Sequence, residues 1–276
     1  MLLYNHNSGR LGNVIFRLFA NIIFCIVYDM DSVIINNNCR PKPDIIITDK
    51  YFIQFCELIL NGRKCPNITK NSTLFFNGYY QHDAIYKAFR PKIIDFIKNH
   101  PEIILTTDKY EKYNASDLIN FNVCNKYNIV VHLRLEDFID ISHVINPISI
   151  KEVVNKLVSN YPNETICFVL NSPKTELEKK YVHYLTHNLS NYKIESNDVI
   201  TDFTIMRNAK VLVCSCSTLS WSASFLSDTV ENVYFPNYNN SDRLHETFRV
   251  PIPNTISYNF ETCSKEKLHD ILEDIM

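Results

Sequence analysis

Short apolar runs alternate along this chain with longer amphipathic stretches. Runs near 2–4, 33–36, 44–47, 73–76, 129–134, 165–170, 211–214 and 232–235 are rich in Ile, Val, Leu and Phe and predict strands. Stretches near 13–28, 50–60, 82–98, 149–160, 174–188, 199–208, 219–226 and 264–275 repeat their apolar positions at helical spacing and predict helices. Strands that are apolar throughout, and that alternate with helices, belong to parallel sheets covered on both faces. The polar stretch around 100–127 predicts a helix leading into a linker, which divides the chain into halves at 1–122 and 123–276. The last helix, 264–276, has the further option of packing back on the first half.

Where the apolar runs stop, chemistry begins. Asn128–Asp137 reads NIVVHLRLED, a buried run ending in His132, Arg134 and Asp137. Period-2 alternation puts His132 and Arg134 on one face of the strand end, and ligands of α/β sheets bind outside such carboxyl ends. An arginine there offers phosphate a permanent cation with a planar fork of donors; a pair with Glu136 or Asp137 is the purely structural alternative. Asp202–Leu226 reads helix, buried strand, polar turn, helix, with Ser217, Thr218 and Ser220 where the last helix starts. Such hydroxyls cap a helix, and with the N–H groups beside them they also hold phosphate.

Composition sharpens the pattern at two points. The chain has 4 glycines, where average usage gives roughly nineteen, so each marks a backbone need. Gly9 and Gly12 lie in Ser8-Gly9-Arg10-Leu11-Gly12-Asn13, between a strand and an apolar helix, a loop that aims N–H groups at a polar ligand. It lacks the G-x-G-x-x-G fingerprint. Gly78 opens Gly78-Tyr79-Tyr80-Gln81, and Gly62 suits a plain turn. The net charge of −2 with mixed signs argues against a nucleic-acid partner. The longest apolar stretch, Val14–Tyr28, is interrupted by Arg17 and Asn21 and predicts a buried amphipathic helix rather than a membrane span. Nine cysteines without paired C-x-x-C spacing predict reduced thiols, with Cys214 and Cys216 in a core or pocket wall, and no zinc site. Without a basic-then-apolar leader, a cytoplasmic protein is expected.

These motifs, in this order, resemble the fucosyltransferase superfamily over about residues 8–235. SGRLGN is similar to the GGLGNQ of the α-1,2 family and the GRFGN of protein O-fucosyltransferases. GYYQ resembles GYFQ, HLRLED matches the H-x-R-x-x-D pattern shared with the α-1,6 enzymes, and VCSCSTLSWSASFL resembles the superfamily's last motif. Three places depart. Leu135 and Glu136 stand where H-V-R-R-G-D is usual, Phe168-Val169-Leu170-Asn171 stands where F-S-D-D is usual, and Trp221-Ser222 stands where two tryptophans are frequent.

The resemblance implies a GT-B-like α/β fold, two Rossmann-like domains facing a cleft, with the nucleotide on the C-terminal half. It implies an inverting transferase that moves L-fucose from GDP-fucose, as co-substrate, to a glycan hydroxyl, with no metal and no other cofactor. Arg134 then faces the β-phosphate, where charge develops. Gly9, Gly12, His132, Asp202, Ser217, Thr218 and Ser220 contact the donor, and Asn13 lies near the transferring sugar. Asp137 is the nearest carboxylate for the acceptor proton, with His6, His82 and His143 behind it. Three alternatives stand beside this reading. One is another donor, such as GDP-rhamnose. Another is a metal-dependent GT-A enzyme using Asp29-Met30-Asp31. The third is a nucleotide-sugar-binding protein without catalysis.

Overall fold

The computed structural model describes residues 1–6, 9–30, 42–81, 83–120, 126–237 and 254–275. The chain divides into two compact units, Met1–Phe121 and Asn122–Met276. Both are α/β units built on parallel sheets.

In the first unit the elements are β1 (Leu2–Asn5), α1 (Leu11–Val27), β2 (Ile45–Ile47), α2 (Asp49–Leu60), β3 (Thr73–Phe76), α3 (Asp83–Asn99), β4 (Ile104–Thr106), β5 (Lys112–Asn114) and a 3-10 turn at Ala115–Ile119. The parallel sheet runs β1-β3-β2, with Leu3 opposite Leu74 and Ile47 opposite Phe76. Helix α1 is buried around its whole circumference. Even Arg17 (3% exposed) and Asn21 (0%) are inside, so the polar face expected of an amphipathic helix does not meet solvent. Asn21 donates its Nδ2 to Asn5 Oδ1 at 3.2 Å. Burial pulls the Arg17 guanidinium below its usual pKa, against the charges of Tyr80, Tyr79 and Asp108. Aromatic rings fill the remaining core, with Phe24 stacked on Phe55 at 3.9 Å and edge-on to Phe76 at 5.2 Å.

The second unit contains β6 (Ile129–His132), α4 (Glu136–Asp140), β7 (Val144–Ile145), α5 (Pro147–Asn160), β8 (Ile166–Val169), α6 (Glu176–Thr186) and β9 (Tyr192–Glu195). It continues with α7 (Val199–Arg207), β10 (Val211–Val213), α8 (Thr218–Leu226), β11 (Asn232–Pro236), β12 (Thr255–Tyr258), β13 (Thr262–Cys263) and α9 (Lys265–Ile275). Six parallel strands lie in the order β12-β11-β10-β6-β8-β9. β6 sits inside the sheet, its Val131 level with Phe168 and Val213, which explains its unbroken apolar run. Helix α5 starts where Asn146 accepts the Ile148 N–H and Pro147 presets the first turn. It buries Ile150, Val153, Val154 and Leu157, one face at helical spacing. Helix α9 sinks Leu268 and Leu272 into this same core and packs on α6, which gives the last helix its apolar partner within the second unit.

Some elements differ from the sequence expectation. Residues 104–114 form an antiparallel β4–β5 hairpin rather than a helix. β9 was not expected, and neither were the β7–β13 ribbon and the short α4. The strand expected at 33–36 lies outside the described residues.

Candidate functional site

The carboxyl ends of β6 and β10 meet through His132 and Ser215, and Arg134 lines one pocket with Ser215 and Cys216, just before the start of α8. β6 ends at His132, and Leu133 continues its pairing by donating to Val169 O at 2.9 Å. The chain then turns sharply through Leu135 (φ −101°, ψ −116°) and Glu136 (φ +34°) into α4. Glu136 thus holds a left-handed conformation that costs an L-residue about 1–2 kcal/mol, at the position where the resembling motif carries glycine.

Arg134 leaves this turn with 17% of its side chain exposed. Its Nη2 lies 3.0 Å from Asp137 Oδ1 and 3.1 Å from Oδ2, and its guanidinium lies 5.3 Å from the Phe138 ring centroid. The strand-end ion pair weighed from the sequence is therefore present. It fixes the plane of a group that carries five N–H donors, and it engages the carboxylate nominated to take the acceptor proton. Arg134 shares a small pocket with Leu133, Phe138, Ser215 and Cys216. The pocket has about 10 Å³ of free volume, room for roughly one water.

His132 is buried, and its Nδ1 lies 2.8 Å from Ser215 Oγ. Burial first, and the Arg134 cation second, push its pKa down to about 3, so the ring is neutral at physiological pH. It ties β6 to the β10–α8 turn. Ser215 was not singled out from the sequence, because a serine just after a strand has no signature of its own.

The β10–α8 turn shares its hydroxyls unequally. Ser217 is the cap of α8, its Oγ accepting the Leu219 N–H at 3.3 Å. Ser220 is fully buried and donates to Ser217 O at 3.2 Å, so its hydroxyl serves the helix. Thr218, the first helical residue, is half-buried. Cys214 is core, with burial pushing its thiol up to about 12, and Cys216 lines the pocket.

Asp202 is in the first turn of α7, but Asp198 is the cap, accepting from Ile200 and Thr201. Asp202 Oδ1 instead accepts from the backbone N and the Nδ2 of Asn197, both at 3.1 Å. Burial raises its pKa to about 6, with the Asn197 bonds opposing and the charges of Asp198 and Glu195 adding to the rise.

The first unit gathers its own polar group. Gly9 has φ +90°, and a Cβ there would lie 2.9 Å from Asn13 Nδ2. Asn13 is the third residue of α1, past both the cap and the first helical position. Its Oδ1 accepts from Gln81 Nε2 at 3.4 Å, which joins the Gly9–Asn13 loop to the Gly78–Gln81 motif. Gly12 is buried as the second residue of α1. Gly78 lets Asp49 approach: a Cβ would sit 2.8 Å from its Oδ2, and Asp49 accepts the Tyr79 and Tyr80 N–H groups.

Of the metal-site alternative, Asp29 follows the end of α1 at φ +52°, is 95% exposed and pairs with Lys70 at 3.6 Å. Asp31 lies outside the described residues, as does His82. Among the described residues no three His, Cys, Asp or Glu side chains gather at metal-binding distance, and no helix is long and apolar enough to cross a membrane.

No protein-family model and no curated protein matches the chain. Among solved structures it is similar to E. coli heptosyltransferase WaaC with ADP, at TM-score 0.46 and 10% identity over 100% of both chains. It is also similar to POFUT1 in complex with GDP-fucose, at TM-score 0.43 and 12% identity over 85% of this chain and 96% of that one. Likeness at this level does not identify the chain.

Proposed function

We propose that this chain is an inverting glycosyltransferase of GT-B type that moves L-fucose from GDP-fucose to a glycan hydroxyl. The observation that carries the reading is that Arg134, at the end of a central parallel strand, and Ser215 and Cys216, leading into α8, line one pocket. A cation beside the turn that leads into a helix, beyond strand ends, suits a diphosphate lying across the pocket mouth.

In the reaction the acceptor oxygen attacks the sugar C1 from the face opposite the leaving group. The C1–O bond to the β-phosphate breaks, and the electron pair leaves with GDP. Arg134 stabilises the charge growing on the β-phosphate oxygen more than it stabilises the bound donor. Thr218 and the first turn of α8 receive phosphate oxygens, and Ser217 holds that turn in shape. Asp202, whose raised pKa eases its protonation, faces the nucleoside side of the reading. Asp137 both orients Arg134 and is the base for the acceptor proton. In the first unit, Gln81 donates to Asn13 Oδ1, and the bare Cα of Gly9 leaves room for the Asn13 side chain. The engagement of Asp137 by Arg134 also suits a second reading, a nucleotide-sugar-binding protein without turnover.

Turnover of GDP-fucose by the wild type and by Arg134→Lys tests the proposal. An ammonium lacks the planar fork, so kcat is expected to fall on the order of 10²–10³ with melting unchanged. Equal turnover in both proteins would make Arg134 a structural residue. GDP binding without turnover by the wild type would favour the second reading.

A further inference from the structure

The carboxylate of Glu178 does more than its place in the sequence requires. Thr175 and Glu178 form a capping box at the start of α6, with Thr175 Oγ1 accepting the Glu178 N–H at 3.2 Å and Glu178 Oε2 accepting the Thr175 N–H at 2.7 Å. Oε2 also accepts the Lys174 N–H at 2.7 Å and the Thr175 hydroxyl at 3.1 Å. One oxygen therefore completes the cap. The other, Oε1, turns away from α6 and accepts the N–H of Glu136 at 3.1 Å, 42 residues back along the chain.

The same β8–α6 connection grips the Glu136 side chain. Asn171 Nδ2 donates to Glu136 Oε2 at 2.6 Å, and Lys174 Nζ lies 3.2 Å from Oε1. A left-handed glutamate persists only where its surroundings over-determine it, and here its amide and both carboxylate oxygens are held. Arg134 lies two residues before this point and Asp137 one residue after it. Glu178 itself is 3% exposed. Burial would push its carboxyl up, but the amide bonds outweigh burial and hold it below the usual value, so it stays an acceptor.

We infer that Glu178 is a positioning residue: by accepting the Glu136 N–H it fixes the turn from which Arg134 and Asp137 project. The Arg134 part of this inference rests on the function proposed above, in which that guanidinium meets the diphosphate.

The test compares Glu178→Gln with Thr175→Ala, reading melting, amide exchange at Glu136 and GDP affinity. A glutamine replaces one accepting oxygen with a donor. Oε2 takes the Lys174 and Thr175 amides and the Thr175 hydroxyl while Oε1 takes the Glu136 amide alone, so the glutamine oxygen stays with the cap and its NH2 faces the Glu136 N–H. Glu178→Gln is expected to speed exchange at Glu136 and weaken GDP about tenfold, the scale of one lost charge-assisted bond. Thr175→Ala removes the hydroxyl's bonds to the Glu178 N–H and Oε2 but keeps the amide bonds to both carboxylate oxygens, and is expected to lower melting while leaving Glu136 exchange and GDP affinity as they were. The double variant Glu178→Gln/Arg134→Lys is expected to bind GDP no more weakly than Arg134→Lys, since one residue acts through the other. If Glu178→Gln fails to fold, Glu178→Asp, which keeps the charge but is one methylene too short to span both the cap and the Glu136 amide, gives the same readouts.

The inference is overturned if Glu178→Gln lowers melting with Glu136 exchange and GDP affinity unchanged, or if the losses in the double variant add. A wild type that does not bind GDP defeats the proposed function and the Arg134 part of this inference together. The Glu136 exchange rates then still decide whether Glu178 fixes the turn.

Discussion

The left-handed backbone of Glu136 makes a prediction free of any assumption about ligands. Replacing Glu136 by alanine removes the bond from Asn171 and the contact with Lys174 but leaves a Cβ at φ +34°. Glycine in its place loses the same contacts and removes the Cβ. The lost contacts cancel between the two variants, so their difference isolates the backbone. Releasing an L-residue from this region returns about 1–2 kcal/mol. Against that, glycine adds unfolded-chain entropy costing about 0.4–1 kcal/mol. Glu136→Gly should therefore be more stable than Glu136→Ala by about 0.8 kcal/mol at mid-range, and by up to about 1.6 kcal/mol. At about 2–4 °C per kcal/mol for a unit of this size, the mid-range value is about 2–3 °C in Tm. Thermal unfolding of both proteins, with urea midpoints as a second readout, measures the difference. An alanine variant as stable as the glycine variant would mean that Glu136 does not hold a left-handed turn, and the account of how Arg134 is presented would fail.

Three further outcomes follow from the geometry. Gly9→Ala places a Cβ 2.9 Å from Asn13 Nδ2 at φ +90° and should lower stability by about 1–2 kcal/mol, measurable in urea. Asp202 has a pKa raised to about 6, so between about pH 4 and pH 6 the folded state binds a proton that the unfolded state has released. Wild-type stability should then fall relative to Asp202→Asn as pH rises through that window, and parallel pH–melting curves would refute the shift. Asn13→Ala should lower kcat far more than it weakens GDP binding, and equal losses in rate and affinity would make the loop part of the nucleotide site or of the fold.

How much of this was legible in the sequence depends on what each residue answers to. The interior strands β6, β8 and β10 were readable because burial on both faces leaves a run of Ile, Val, Phe and Cys. β9 was not, because an edge strand reading Tyr-Lys-Ile-Glu and largely exposed carries no apolar run. The β4–β5 hairpin has three-residue strands, too short for alternation to show, and its polar residues read as a helix. Within the site, Arg134 and Asp137 were close enough in sequence for their pairing to be foreseen. The cap at Ser217 was legible too, since it acts on its own helix. The bonds His132–Ser215, Glu178–Glu136 and Gln81–Asn13 span 83, 42 and 68 residues, and only the completed sheets bring those partners together. The positive φ of Glu136 had no signal in the residue itself, because glutamate rarely adopts it; the glycine that the resembling motif carries at that position was the one pointer to it.

The central claim is that the strand ends of the second unit hold a guanosine diphosphate through Arg134 and the start of α8. Melting of the full chain with GDP in EDTA, and with UDP in EDTA or in Mn²⁺, tests it most directly. At about 100 times Kd a ligand stabilises the folded state by roughly 2.7 kcal/mol, or about 5–10 °C. GDP is expected to raise Tm by that amount and UDP is not. Stabilisation by UDP with Mn²⁺ but not by GDP would contradict the account.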